Sequence, residues 1–346
     1  MSEAEWARSP AVLGAMRRAA ELGQEVLGTT SPNPPVGCVI LDRRERVVGT
    51  GATRPVGGEH AEVMALRAAG EAASGGTAVV TLEPCAHTGR TGACASALLA
   101  AGIARVAYAV ADPNPVASGG EVMLRAEGVS VAGGILESEV SGGALRPWLH
   151  FTRTGLPHVT WKYAASLDGR SAASDGTSQW ISSEASRARA HRIRAGSDAV
   201  LVGTGTVLAD DPRLTVRDEN GSPLPEQPLR VVVGDREIPG SANVLDDSAP
   251  TIRLSGGDPD HALRLLAERG VTGVMLEGGP TLAGAFLRAG RIDLVEAFVA
   301  PTLLGSGSAA LGDAGVASLS RAWRFYFERV TMCGQDVWIS AVPFEG

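Results

Sequence analysis

"GEHAEVMAL" (residues 58–66) and "TLEPCAHTGRTGAC" (81–94) are the stretches on which the reading of this chain turns. The first sets an imidazole, His60, two residues before a carboxylate, Glu62, where apolar Val63, Leu66 and Ala69 begin to recur at helical spacing. The second is a β-branched run that ends at Pro84 and is followed by two thiols, Cys85 and Cys94. Zinc needs three or four nitrogen or sulfur donors, and a catalytic site leaves one position to water. His60, Cys85 and Cys94 would supply one imidazole and two thiolates, enough to balance the ion while leaving it Lewis acidity toward that water. Glu62, at a helix start, can reach the same cavity without ligating and carry a proton from the water to a leaving amine.

Outward from these stretches the period alternates. Residues 36–42 and 46–52 read as a hairpin, 60–73 as a helix, 77–84 as a strand, 92–102 as a helix stopped by Gly102, and 103–113 as the next strand. Helix then strand recurs over 118–135, so a largely parallel sheet with helices on its faces is expected. The N-terminal segment carries Val12, Met16, Ala19 and Leu22 with arginines between them. It reads as one amphipathic first helix, not a signal peptide. Pro147 and Pro157 interrupt the pattern, and a domain boundary is expected at 147/148. Strands are then expected at 158–165, 198–203, 229–234, 272–279 and 295–301, with helices at 185–196 and 260–270 and a polar, proline-rich surface loop at 215–228.

The chain has 346 residues, 44% hydrophobic and 20% charged, which suits two soluble α/β domains each with its own core. The net charge is −7 and no block of five or more Lys/Arg occurs, which argues against gripping a nucleic-acid backbone but not against a small phosphorylated ligand. Four cysteines are too few for a disulfide framework, so metal binding or burial is the expectation for them. The most apolar run (97–111) is broken by Gly102 and Arg105, so no membrane span is expected and a cytoplasmic enzyme is the reading.

The ordered set H-x-E … P-C … C is the pattern of zinc nucleoside and nucleobase deaminases, with one departure: C-x₈-C stands in place of P-C-x-x-C. Taken alone that spacing is weak, each cysteine also fits as a small buried hydrophobe, and His87 inside the loop is a competing ligand. In the second half, "VLVGTGTVLADDP" and "VMLEGGPTLAGAFL" are strand–Gly–helix junctions that admit an anion close to the backbone, or are plain αβ turns. The first, through "GTGTVL", has G-x-G but lacks the third glycine of the dinucleotide fingerprint.

"SPNPPVGCVI", "HAEVMAL", "TLEPCAHTGRTGAC", "ADPNP" and "ASLDGRSA" together resemble the bifunctional riboflavin-biosynthesis deaminase–reductases, the RibD family, over about residues 10 to 342. In that family C-x₈-C is the normal spacing, although the loop usually carries two prolines where this chain has Gly92 and Ala93. The resemblance implies an α/β protein with an N-terminal cytidine-deaminase-like α/β/α domain (1–147) and a C-terminal dihydrofolate-reductase-like α/β domain (148–346) using NADPH. It implies one Zn²⁺ on His60, Cys85 and Cys94, with Glu62 as proton shuttle, and Asn33 as a pyrimidine contact or simply a turn residue. Cofactor contacts would be Ala164, Trp180, Thr206, Asp210, Asp235 and the turn Gly279, Pro280, Thr281, Leu282, Ala283, Gly284 and Ala285. Asp235 stands where serine is common, and an acid there would repel a 2′-phosphate. Substrate contacts would be Ser178, Arg194, Leu214, Arg217 and Glu277.

An arginine fork suits a 5′-phosphate. Arg194 also reads as one of several arginines on a solvated helix face, and Arg217 as a loop charge. Lys162 and Asp168 are further cleft candidates. The substrate implied is a phosphorylated pyrimidine ribotide, with no nucleic-acid or membrane partner and with homo-oligomers formed through the reductase domain. Rival readings are a nucleic-acid deaminase with an appended domain, a structural-zinc protein without catalysis, and a chain in which only one domain works.

Overall fold

The computed structural model describes residues 3–86, 93–218 and 220–344; His87 and Gly92 lie outside them. The chain divides into two compact units, Met1–Gly155 and Leu156–Gly346.

In the first unit, α1 (Glu3–Ala7) and α2 (Pro10–Glu25) replace the single helix expected. Ser9 causes the break: its hydroxyl accepts the Val12 N–H and Pro10 opens the next helix, a normal N-terminal arrangement. Val12, Met16, Ala19 and Leu22 are buried as their spacing requires. β1 (Gly37–Leu41) and β2 (Val47–Ala52) form the hairpin, followed by α3 (Ala61–Ala69), β3 (Thr77–Leu82), α4 (Cys94–Ala100), β4 (Arg105–Val110), α5 (Gly120–Ala126), β5 (Ser130–Ala132), α6 (Glu137–Ser141) and α7 (Arg146–Thr154). The sheet order is β2-β1-β3-β4-β5. Only β3, β4 and β5 run parallel; β1 is antiparallel to both its neighbours, and toward β2 this follows from the tight turn that joins them. Gly49 and Gly51 of β2 let α3 lie close, since a Cβ at either would come within 2.2–2.3 Å of the carbonyl of Ala65 or Ala61. That contact sets the helix start, with His60 and Glu62, over the sheet.

The division after Gly155 differs from the boundary expected at 147/148. Pro147 opens α7 instead of ending a domain, and Trp148 and Leu149 are buried in the first unit's core.

The second unit holds β6 (His158–Ser166), α8 (Glu184–Ala195), β7 (Ala199–Gly203), α9 (Thr204–Asp210), β8 (Leu229–Val233), β9 (Thr251–Leu254), α10 (Pro259–Ala267), β10 (Gly273–Leu276), α11 (Pro280–Arg288), β11 (Leu294–Ala300), β12 (Phe325–Cys333) and β13 (Asp336–Pro343). The sheet order is β12-β13-β11-β6-β10-β7-β8-β9, parallel from β11 to β9, with β12 and β13 added antiparallel. The β12–β13 hairpin and β9 were not anticipated: β12 is exposed along most of its length and shows no two-residue apolar alternation. The parallel strands end on one edge, which in open α/β sheets is the ligand edge. Thr206, Asp235 and Glu277 to Ala285 follow the ends of β7, β8 and β10. No helix among the described residues is long and apolar enough to cross a membrane.

Candidate functional site

His60 occupies the position capping α3, Cys85 lies just past the end of β3, and Cys94 is the first residue of α4. Fold packing brings them together across 34 residues. His60 Nδ1 is 3.2 Å from Cys94 Sγ and 3.8 Å from Cys85 Sγ. The Cys94 N–H donates to Cys85 Sγ at 3.4 Å. Their ligand atoms all lie within 4.8 Å of one another, the one such His/Cys/Asp/Glu group among the described residues. One imidazole and two thiolates with a fourth position open fit a catalytic zinc. Glu62, in the first turn of α3, is 4% exposed.

The protonation pattern of the cluster follows from its packing. The Cys94 thiol donates to Cys85 and, with His60 alongside, draws the Cys85 thiol down to about 4. The Cys94 thiol is correspondingly pushed well up, by its hydrogen bond to Cys85 and by burial. The hydrogen bond to Cys85 raises His60. Burial raises the Glu62 carboxyl above its ordinary range. Asn33 is half-buried in the turn before β1, its N–H donating to the Thr30 carbonyl and its own carbonyl accepting the Thr30 hydroxyl.

In the second unit a charged cluster forms around Glu277. Arg194 Nε and Nη2 donate to its two carboxylate oxygens at 2.8 and 3.0 Å, and Lys162 Nζ is 3.9 Å away. The Arg194 side chain is 13% exposed, which removes the solvated-face reading. Arg194 Nη1 donates to the Thr215 carbonyl and Arg217 Nε to the Thr215 hydroxyl, both at 3.0 Å. Burial pushes Glu277 up, but Arg194 and Lys162 more than reverse it, leaving the carboxyl below its ordinary range. Burial lowers Lys162. His191, one turn before Arg194 on α8, has a buried Nδ1 with no hydrogen-bond partner.

Thr206 and the Gly279 turn also meet, the Gly279 N–H donating to Thr206 Oγ1 at 3.1 Å. Pro280 is the first residue of α11; Thr281 is exposed, Leu282 and Ala285 half-buried, and Ala283 and Gly284 face the core. Ser178 donates to Asp210 at 3.2 Å. Trp180 is exposed, with the Arg187 guanidinium 4.7 Å from its ring centroid. Ala164 packs against Ala190, Phe298 and Trp338. Leu214 is 4% exposed with φ +55°, so its side chain belongs to the core. Asp235 accepts the Gly256 N–H at 2.8 Å. Asp168 is taken up by the 304–305 turn, accepting from Leu304, Gly305 and Ser166; the Ser166 hydroxyl first, then the two amides, hold its carboxyl down to about 2. Two residues escaped the sequence reading: Thr215, which bridges the two arginines, and Glu83, whose signal was a carboxylate at the end of an otherwise apolar strand.

Residues 13–110 match the model of the cytidine and deoxycytidylate deaminase zinc-binding region, and residues 157–339 that of the RibD C-terminal domain. The riboflavin biosynthesis protein RibD of Mycobacterium tuberculosis (strain H37Rv) is 56% identical over 95% of this chain and 96% of its own. The chain belongs to the RibD family. It is accordingly a bifunctional deaminase and reductase of riboflavin biosynthesis, built from a zinc-binding deaminase domain and a reductase domain. RibD of Escherichia coli K12 is 41% identical, covering 94% of this chain and 98% of its own. Among solved structures, Acinetobacter baumannii RibD (form 1) superposes with a TM-score of 0.87 at 37% identity, over 97% of this chain and 99% of that one. A Thermotoga maritima diaminohydroxyphosphoribosylaminopyrimidine deaminase/5-amino-6-(5-phosphoribosylamino)uracil reductase also gives 0.87, at 32% identity and 96% and 99% coverage.

Proposed function

We propose that the first unit hydrolyses the exocyclic amine of 2,5-diamino-6-ribosylamino-4(3H)-pyrimidinone 5′-phosphate, and that the second reduces the ribosyl group of the product to ribityl with NADPH. The observation that carries this reading is the convergence of His60, Cys85 and Cys94 beside a buried Glu62. His60, Cys85 and Cys94 would hold Zn²⁺, which when bound supplies the Lewis acidity that activates water. Water adds to the ring carbon bearing the amine, the C–N bond breaks, and ammonia leaves. Glu62 takes the proton released by the water and delivers it to the departing nitrogen, one group acting first as base and then as acid.

In the second unit NADPH, when bound, supplies the hydride. Arg194 is engaged by Glu277, so Arg217 carries more of the 5′-phosphate's charge than an unpaired arginine fork at 194 would have left to it. Lys162 and Glu277 orient the sugar hydroxyls, and Thr206 with the Gly279–Ala285 turn, Ala164, Trp180, Asp210 and Asp235 line the cofactor's path. Ser178 and Leu214 complete the substrate side, and Asn33 contacts the pyrimidine in the first unit. We assign the deaminase step to the unit Met1–Gly155, α7 included, and the reductase step to the unit Leu156–Gly346.

A cytoplasmic homo-oligomer formed through the reductase unit completes the reading. Support for the oligomer comes from β12, the edge strand beside β13, presenting exposed Tyr326, Phe327, Val330 and Met332. The test is product analysis by mass spectrometry on the diaminopyrimidinone ribotide with zinc, without and then with NADPH. Deaminated product in the first tube and ribityl product in the second support both steps; no deamination refutes the first, and deamination without reduction refutes the second.

A further inference from the structure

One buried carboxylate beside the metal ligands has no part in the deaminase chemistry. Glu83 is 8% exposed and lies two residues before Cys85, at the end of an apolar strand. Its Oε1 accepts the backbone N–H groups of Gly119 and Glu121 at 3.2 and 3.1 Å, and its Oε2 that of Asp112 at 3.2 Å. All three donors belong to the segment that leaves β4 and enters α5. The same segment returns to the thiols. The Ala86 N–H donates to the Ala117 carbonyl at 3.0 Å, and Ala117 packs with Cys85 and Cys94 in one small buried cluster.

The sheet does not hold Cys85. β3 ends at Leu82 and β4 at Val110, and beyond them one further backbone bond follows, Glu83 N–H to the Val110 carbonyl at 2.8 Å. From there residues 83–86 are held on one side by the Glu83 carboxylate and the loop it gathers, and on the other by the start of α4, whose Ala95 N–H donates to the Cys85 carbonyl at 3.2 Å. The loop must lie close, because a Cβ on Gly120 would fall 1.7 Å from the Pro84 carbonyl oxygen. A carboxylate offers acceptor sites on both oxygens, whereas glutamine keeps one oxygen and turns an N–H₂ donor toward the other amide. A buried amide left without an acceptor costs about 1–3 kcal/mol, so the loop would shift to find one.

We propose that Glu83 is a positioning residue of the metal centre, holding the 112–119 loop against the end of β3 so that Cys85 meets Cys94 and His60. The inference rests on the zinc reading of that cluster. It is tested on the full chain by competing Zn²⁺ against a chromophoric chelator for wild type, Glu83→Gln, His60→Ala and Met16→Ala. Met16 is fully buried on α2, so Met16→Ala measures what a loss of core stability alone does to the metal.

Glu83→Gln is expected to bind zinc about 10–100-fold more weakly, as for other residues that orient metal ligands, with NADPH binding by the second unit unchanged. Met16→Ala is expected to melt earlier at near-wild-type zinc affinity. Zinc affinity within twofold of wild type in Glu83→Gln, or equal weakening in Met16→Ala, overturns the proposal. Wild-type affinity in His60→Ala would instead sink the zinc reading itself, which separates the two failures. If Glu83→Gln does not fold, Glu83→Asp carries the test, since it keeps the buried charge and draws the carboxylate back from the Asp112, Gly119 and Glu121 amides. Several-fold weaker zinc in that variant supports the proposal and unchanged affinity overturns it.

Discussion

Replacing Glu277 by Gln removes the one carboxylate that, among the described residues, faces Arg194 and Lys162, and leaves two partly buried cations side by side. The three side chains are 11%, 13% and 21% exposed. Removing one partner of a buried pair costs about 3–5 kcal/mol, because the other charge stays desolvated without compensation. Two circumstances place this case at the lower end. The Thr215 carbonyl still accepts from Arg194 Nη1, and Lys162, at 21% the most exposed of the three, keeps contact with water. The expected loss is about 3 kcal/mol, and for a unit of this size about 6–12 °C in melting temperature. The assay is calorimetry alongside ammonia release, which should persist because the deaminase unit is untouched. Arg194→Met combined with Glu277→Gln should recover more than about 1 kcal/mol of the summed single losses, since residues in direct contact couple. A loss below about 1 kcal/mol in the single variant, or strict additivity in the double, would refute the view that this is a buried, mutually dependent ion cluster.

Three shorter expectations accompany it. Glu62→Gln should retain zinc by metal analysis and lower the deamination rate about 10²–10⁴-fold; loss of the metal would make Glu62 a ligand instead. Cys94→Ser should bind zinc more weakly in a chelator competition, and a full zinc complement would transfer the third position to His87. The Ser248 hydroxyl and, after it, Arg230 hold Asp246 down to about 2, below the roughly 3.9 of an unfolded aspartate. Its stabilising contribution is therefore complete above about pH 4 and lost as the pH falls through 2, so the melting-temperature gap between wild type and Asp246→Asn should close over that window. A gap that stays constant down to pH 2 would remove Asp246 from the account.

Much of the site could be read from short-range pattern. His60 and Glu62 share one helix start, Pro84 ends a strand just before Cys85, and Gly102 stops the helix that Cys94 begins, so each position follows from a few neighbouring residues. The reading failed where a local signal had two meanings. Pro147 marks a linker or the first turn of a helix with equal ease, and only the burial of Trp148 and Leu149 shows that α7 belongs to the first unit. β12 escaped because an exposed edge strand need not alternate apolar and polar residues.

The sequence by itself determined the donor types, their order along the chain and the carboxylate beside them, and hence the class of chemistry. It could not determine convergence. His60 and Cys94 are 34 residues apart, Arg194 and Glu277 are 83 apart, and Glu83 draws on amides 29 to 38 residues away. Those distances close only when helices pack on sheets, because burial, not local propensity, selects which polar groups must face one another. So the tertiary structure alone decided that Arg194 spends its fork on Glu277 and that the segment carrying Cys85 is tied down by Glu83.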